Sequence, residues 1–161
     1  MQRFAFLAAV AVSALMAAPT ANAQWYAGAG YTQYDADHAD STGGITGRLG
    51  YRVNPNLAVE GEGTVGTNDG DNASLNSAIG AYAVGILPVG SSGFDVHGRV
   101  GYNQLDISRD AAPDIDDGGL SYGAGVGYNF TQRFGVRADW TRTETDADNA
   151  DAVSLTGTLN F

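Results

Sequence analysis

The stretch that decides the fold is GLSYGAGVGYNFTQRFGVRADWTR, residues 119–142. It holds two runs of period-two alternation joined by a short polar turn at Thr131, Gln132 and Arg133. One face carries Leu120, Tyr122, Ala124, Val126, Tyr128 and Phe130, then Phe134, Val136, Ala138 and Trp140. The other carries Ser121, Gly123, Gly125, Gly127 and Asn129, then Gly135, Arg137, Asp139 and Thr141. Alternation of this kind marks a strand whose two faces meet different surroundings. A face of glycines with a few charges makes a poor water-facing surface, because it lacks strand propensity and offers little solubility. It makes a good lining for a narrow barrel, where small residues must alternate with large ones.

The same plan repeats outward from this hairpin. Eight alternating segments fall near residues 24–34, 44–53, 57–66, 77–88, 94–105, 120–130, 134–143 and 152–161. Each is about ten residues long, the length a tilted strand needs to cross a bilayer. The connections after the second, fourth and sixth segments are short: Asn54-Pro55-Asn56, then Val89 to Gly93, then Thr131-Gln132-Arg133. Those at 35–43, 67–76, 106–119 and 144–151 are longer and rich in Asp, Asn and Gly. Short turns on one side and long polar loops on the other are the asymmetry of a bacterial outer-membrane barrel. A water-soluble sandwich or lipocalin-like barrel would give no reason for it and would turn the glycine face to water. The expected fold is therefore all-β: an eight-stranded antiparallel up-and-down transmembrane β-barrel over residues 24–161.

With the glycine face inward, the outward face comprises Leu49, Tyr51, Val53, Leu57, Val59, Val84, Ile86, Val96, Val100 and Tyr102, almost without charge. Aromatic residues band toward the strand ends, with Trp25, Phe94, Phe130, Phe134 and Phe161 on the short-turn side. Tyr31, Tyr102, Tyr122 and Trp140 lie toward the long loops. Two such girdles suit the two membrane interfaces.

The rest of the chain bounds what it does. Residues 1–23 have a basic start at Arg3, an apolar run from Phe4 to Ala17, and Ala21-Asn22-Ala23 before Gln24. This is the pattern of a cleaved secretory signal peptide, too short and wrongly flanked for a membrane span. There is no cysteine, which excludes a disulfide framework and thiolate chemistry. No later stretch reaches the ~20 apolar residues of a membrane helix, so any membrane crossing must use a closed barrel. The formal net charge is −10 and every basic residue is Arg, which argues against nucleic acid as a partner.

GYRVNPNLAVEGEG (50–63), FDVHGRVGYNQLD (94–106), LSYGAGVGYNFTQRFGVRADWTR (120–142) and VSLTGTLNF (153–161) resemble the OmpA/OmpX-type eight-stranded outer-membrane β-barrel family. The resemblance covers the whole expected mature chain. It implies a Gram-negative outer-membrane location among lipid and lipopolysaccharide. The terminal Phe161, after alternating Val153, Leu155 and Leu159, is similar to the signal read by the barrel-assembly machinery. The chain ends at Phe161, so a peptidoglycan-binding domain of the kind that follows the barrel in full OmpA-type proteins is not expected.

The inward face holds Arg48, Arg52, Glu60, Glu62, Asp95, His97, Arg99, Arg137 and Asp139; apart from the histidine, positive and negative charges balance. If the Asn54-Pro55-Asn56 turn pairs Val53 with Leu57, Arg48 lies opposite Glu62 and Arg52 diagonal to Glu60, within cross-strand reach. The 131–133 turn sets Arg137 opposite Gly127 and Asp139 opposite Gly125, so that the glycines make room for guanidinium and carboxylate. The expected result is an ion-paired plug. A narrow low-conductance, porin-like channel is the alternative that these residues allow.

The acidic runs Asp35–Asp40 and Asp146–Asp151, with Asp69, Asp71, Asp110, Asp114, Asp116 and Asp117, suit solvated loops, with weak divalent-cation bridging to lipid phosphates as the sharper reading. Arg142, near the outer rim, suits a lipid phosphate. An enzyme modifying lipid A would need a Ser, a His and an acid in mutual reach. His97 reads as a satisfied lumen residue, and His38, with Ser41 nearby, has no marked oxyanion hole. The GxGxxG letters at 61–66 lie in a strand, not before a helix, and carry no phosphate site. No cofactor, metal site or enzymatic activity is expected. The expected role is structural or surface-interactive.

Overall fold

The computed structural model describes residues 24–36, 39–67, 73–109, 115–144 and 149–161. Eight strands follow one another: β1 (Gln24–Ala36), β2 (Ala39–Asn54), β3 (Leu57–Gly66), β4 (Ala73–Val89), β5 (Phe94–Arg109), β6 (Ile115–Asn129), β7 (Phe134–Glu144) and β8 (Asn149–Asn160). Each pairs antiparallel with its sequence neighbours, and β1 pairs with β8 to close the barrel. Closure leaves no strand edge unpaired, the condition lipid imposes on a spanning sheet.

The short turns are set by local chemistry. Asn54 Oδ1 accepts from the Asn56 amide at 2.8 Å across Pro55. Thr131 Oγ1 accepts from the amides of Arg133 (3.2 Å) and Phe134 (2.9 Å). Gly93 has φ of 81°, and a Cβ there would stand 2.7 Å from the Asn129 carbonyl, so only glycine fits. A bulge between Arg52 and Asn54 pairs Leu57 with Asn54 rather than with Val53, while Arg48 still faces Glu62 and Arg52 faces Ala58.

The register fixes the width of the barrel. Followed once around, it runs from Gly127 through Arg137, Thr156, Gly30, Thr46, Thr64, Ala78 and Leu105 and returns to β6 at Asp117, ten residues from its start. For eight strands this stagger gives a tilt of about 40° and a backbone radius of about 8 Å. Such a lumen is filled by side chains.

Burial is inverted relative to a water-soluble protein. Arg48, Glu60, His97, Arg99, Arg137 and Asp139 are buried, while Leu155, Val126, Ile79 and Phe134 are more than half exposed. Two residues depart from the expected outward face. Val84 and Ile86 point inward, 0% and 5% exposed, and pack with Tyr26, Ala58 and Tyr82. The register places Val84 opposite Ala58 and Tyr82 opposite Glu60, all on the lumen side. In AYAVGILPV both parities are apolar, so alternation alone does not orient β4. Its outward residues are Ala81, Ala83, Gly85 and Leu87.

The strands also run further than the alternating apolar pattern. Pairing continues through 39–43, 73–76, 106–109 and 115–119, which composition assigns to loops. There the ladder is carried by backbone pairing, and the sequence holds too few apolar residues in alternation to mark a strand. Asp37, His38, Asp69, Asp71, Asp110, Asp114, Asp146 and Asp148 lie outside the described residues.

Candidate functional site in the barrel lumen

Three carboxylates organise the middle of the lumen, each bound from more than one strand. Glu62 on β3 accepts from Arg48 Nε (2.9 Å) and Nη2 (2.6 Å) on β2, and from Arg99 Nη1 (3.1 Å) and Nη2 (3.0 Å) on β5. Glu60 accepts from Arg137 Nη1 on β7 and from the Tyr26 hydroxyl at 2.5 Å on β1. Asp139 on β7 accepts from Arg48 Nη1 (2.9 Å) and Arg137 Nε (3.0 Å), and stands 2.7 Å from His97 Nε2. Arg48 thus ties β2 to the far wall at β7. Arg137 returns the link to β3, and Arg99 lies 3.5 Å over the Tyr82 ring. Charges this deep are stable only when paired and hydrogen-bonded.

Two of the expected lumen residues stand apart from this knot. Asp95 meets His97 Nδ1 at 3.2 Å and Asn129 Nδ2 at 3.4 Å. Arg52 forms no ion pair among the described residues; its guanidinium lies 5.6 Å from the Tyr26 ring centre, and its buried Nε has no acceptor. The diagonal placement toward Glu60 does not bring the two groups together: Glu60 takes Tyr26 and Arg137 on Oε1, and its Oε2, 3.8 Å from Arg48 Nε, has no hydrogen-bond donor.

The glycines of β6 make room, though for other groups than those facing them across β7. A Cβ on Gly125 would lie 2.4 Å from His97 Nε2, and one on Gly127 would lie 2.6 Å from Asp95 Oδ2. Strand tilt carries the β5 side chains over the β6 glycines, while Arg137 and Asp139 reach across the lumen. Tyr26 and Tyr82, the partners of Glu60 and Arg99 in this tier, are absent from the set of charges read from the sequence; their inward parity was the available signal.

Above the ionic tier the lining is hydroxyl. Thr32, Thr46 and Thr64 form a chain at 2.6 and 2.7 Å, extended by Tyr34 at 3.3 Å, and Ser121 meets Thr143 at 2.8 Å. At the rim, Arg142 is held in a two-point pair with Asp151, Nε to Oδ1 at 2.9 Å and Nη2 to Oδ2 at 2.6 Å. The neighbouring strand thus supplies Arg142 with an anion of the chain's own. Phe161 is exposed, and its amide donates to the Trp25 carbonyl at 2.9 Å, at the end of the β1–β8 seam.

The pairing predicts a measurable coupling. Arg48→Ala and Glu62→Ala, made singly and together, should give losses of unfolding free energy in detergent that do not add, with a coupling in the range of about 0.5–3 kcal/mol. Additive losses would show that the two side chains do not interact.

A family model described as an outer membrane protein β-barrel domain matches residues 4–161. No curated protein matches the sequence. Among solved structures, Ail, the attachment invasion locus protein of Yersinia pestis, is similar at 17% identity and a TM-score of 0.63, over 87% of this chain and 99% of that one. The amino-terminal β-barrel domain of Pseudomonas aeruginosa OprF is similar at 15% identity and a TM-score of 0.68, over 86% of this chain and 97% of that one. Neisserial surface protein A follows at 17% identity and a TM-score of 0.57, over 86% and 95%. At these identities the likeness is one of fold.

Proposed function

Because the chain belongs to the outer membrane protein β-barrel domain family, we propose that it is a small non-enzymatic barrel of the bacterial outer membrane. Its lumen is closed by ion pairs and its acidic outer end is its surface for interaction. The observation that carries this reading is the inversion of burial: charged and hydroxyl side chains inside, a belt of Leu, Val, Phe, Tyr and Trp outside. Residues 1–23 serve as the leader for export, and Phe161 at the end of the seam suits the terminal signal for the assembly machinery.

Several features support the details. The linked carboxylates span the lumen from β3 to β7, which supports a closed lumen at that level. The order Ser154–Asp139–His97, with the Ser154 hydroxyl 3.5 Å from the acid and His97 on the same acid, is the wrong one for a nucleophile. A triad needs the imidazole between hydroxyl and carboxylate.

The charge is distributed unevenly. Inside, four Arg balance Glu60, Glu62, Asp95 and Asp139, and the short-turn side carries Arg133, so the net negative charge gathers at the long-connection end. Ail has been seen with a heparin analogue, sucrose octasulfate. An acidic end of this kind favours cationic partners, or divalent ions that bridge weakly to lipopolysaccharide phosphates, over sulfated polyanions. Among the described residues no group of three His, Cys, Asp or Glu is placed to hold a metal ion.

Outer-membrane fractionation followed by gel mobility with and without heating tests the reading. The protein should fractionate with the outer membrane and shift in mobility on heating. It should show no unitary conductance in planar bilayers and no retention on heparin. Recovery as a soluble periplasmic protein would overturn the placement, and steady conductance would overturn the closed lumen.

A further inference from the structure

Of the side chains in the ionic tier, His97 alone belongs to a residue type that changes charge near neutral pH. It is buried, and both of its ring nitrogens face carboxylates. Nδ1 lies 3.2 Å from Asp95 Oδ1, and Nε2 lies 2.7 Å from Asp139 Oδ1. An ionised carboxylate only accepts, so each contact is a hydrogen bond only where the ring nitrogen carries a proton. A neutral imidazole has one such proton and can serve one of the two.

Around Nε2 the atoms close a triangle. Arg137 Nε lies 2.8 Å from His97 Nε2 and 3.0 Å from the same Asp139 oxygen. In one assignment of protons, Nε2 is bare and accepts from Arg137, and its lone pair then meets a carboxylate oxygen at 2.7 Å. In the other, Nε2 and Arg137 Nε both donate to Asp139 Oδ1, and the contact between the two nitrogens is the closing side of the triangle. Asp139 also accepts from Arg48 Nη1 at 2.9 Å; among guanidinium donors it acts as an anion.

The surrounding charges favour the second assignment. Arg137 on β7 is the cation that touches the ring, and it is itself tied to Glu60 on β3. Arg99 on β5 and Arg48 on β2 are both held by Glu62. Arg52 of β2 and Tyr26 of β1 line the short-turn end of the lumen with His97. On β4, Ile86 stands opposite the ring and Tyr82 lies under Arg99. β6 sets Gly125 opposite the ring, and β8 brings Ser154 to Asp139. Two carboxylates in contact with the imidazole outweigh one guanidinium whose charge is shared with Glu60.

We propose that His97 is a doubly protonated imidazolium in the folded barrel at neutral pH, a proton-dependent clamp joining Asp95 toward the short-turn end to Asp139 in the ionic tier. Loss of the second proton breaks one of the two links, so the lumen is held more tightly at neutral pH than in alkaline surroundings. The clamp depends on the lumen geometry and not on where the barrel resides.

Above about pH 6.5, where a histidine of the unfolded chain discharges, the folded barrel then holds one proton more than the unfolded chain. Stability falls as pH rises wherever the folded state binds more protons, here by up to about tenfold in the folding equilibrium constant per pH unit. The full barrel with His38→Gln carries His97 as its single histidine. Isotope-labelled in that ring and folded in detergent, it is followed by nitrogen NMR between about pH 6 and about pH 9. Both ring nitrogens should carry protons at neutral pH. Urea unfolding over the same range should show a midpoint that falls with rising pH, and His97→Gln should remove that fall. A neutral ring at neutral pH, or a fall that survives His97→Gln, would overturn the proposal. If His97→Gln does not fold, the NMR titration decides.

Discussion

Replacing Asp139 by alanine is expected to lower the unfolding free energy by about 3–5 kcal/mol, the cost of removing one partner from a buried ion pair. Asp139 is 3% exposed and is shared by Arg48, Arg137 and His97. Its loss leaves two guanidinium groups facing a low-dielectric interior with one acceptor fewer each. Glu62 still holds Arg48 and Glu60 still holds Arg137, so the barrel should fold, with a lower urea midpoint in detergent. A loss below about 1 kcal/mol, the scale of a solvent-screened pair, would show that water penetrates this level of the lumen.

The second large effect lies on the opposite face. Val126 is half exposed on the outward side of β6, midway between Tyr122 and Phe130. Val126→Arg should cost about 2–4 kcal/mol when the protein is unfolded from lipid vesicles, the penalty for a cation at the bilayer midplane. Gln33→Arg, also outward but near the long-connection end, should cost about 0–1 kcal/mol. Equal costs at the two positions would mean that the outer face does not meet hydrocarbon. The contrast isolates depth, because both changes place the same charge on the same face of the sheet.

How much of this was legible in the sequence depends on what each segment's alternation could distinguish. The 119–142 hairpin alternates between bulky apolar residues and glycine or charge, and its turn chemistry sets a register in which Arg137 faces Gly127 and Asp139 faces Gly125. Strand β4 was not legible in the same way. With Ala, Tyr, Val, Ile and Leu on both parities, only its pairing with β3 shows that Val84 and Ile86 turn inward. The strand ends were hidden for a related reason, since polar alternation above the membrane carries no burial signal.

The lumen was legible as a set of charges but not as a set of partners. Cross-strand neighbours follow from register, and so Arg48 beside Glu62 could be read from one turn. The longer links, Arg48 to Asp139 and Arg137 to Glu60, join strands that are far apart in sequence and meet only because the stagger brings opposite walls together. Arg52 shows the limit of the local rule: a diagonal position toward Glu60 gave it reach, but Glu60 turns Oε1 to Tyr26 and Arg137 and leaves Oε2 without a donor.

The seam between β1 and β8 has a consequence for the order in which the molecule forms. Ala27 pairs with Leu159 and Tyr31 with Leu155, residues from opposite ends of the chain. Until the last strand arrives, β1 and β7 each expose a row of unpaired amides and carbonyls that lipid cannot satisfy. No subset of the strands offers a stable resting point in the bilayer, so insertion and closure must be nearly concerted. High contact order makes that step slow. A chain shortened by its final strand should accordingly fail as a whole, accumulating outside the membrane instead of inserting as a seven-stranded remnant.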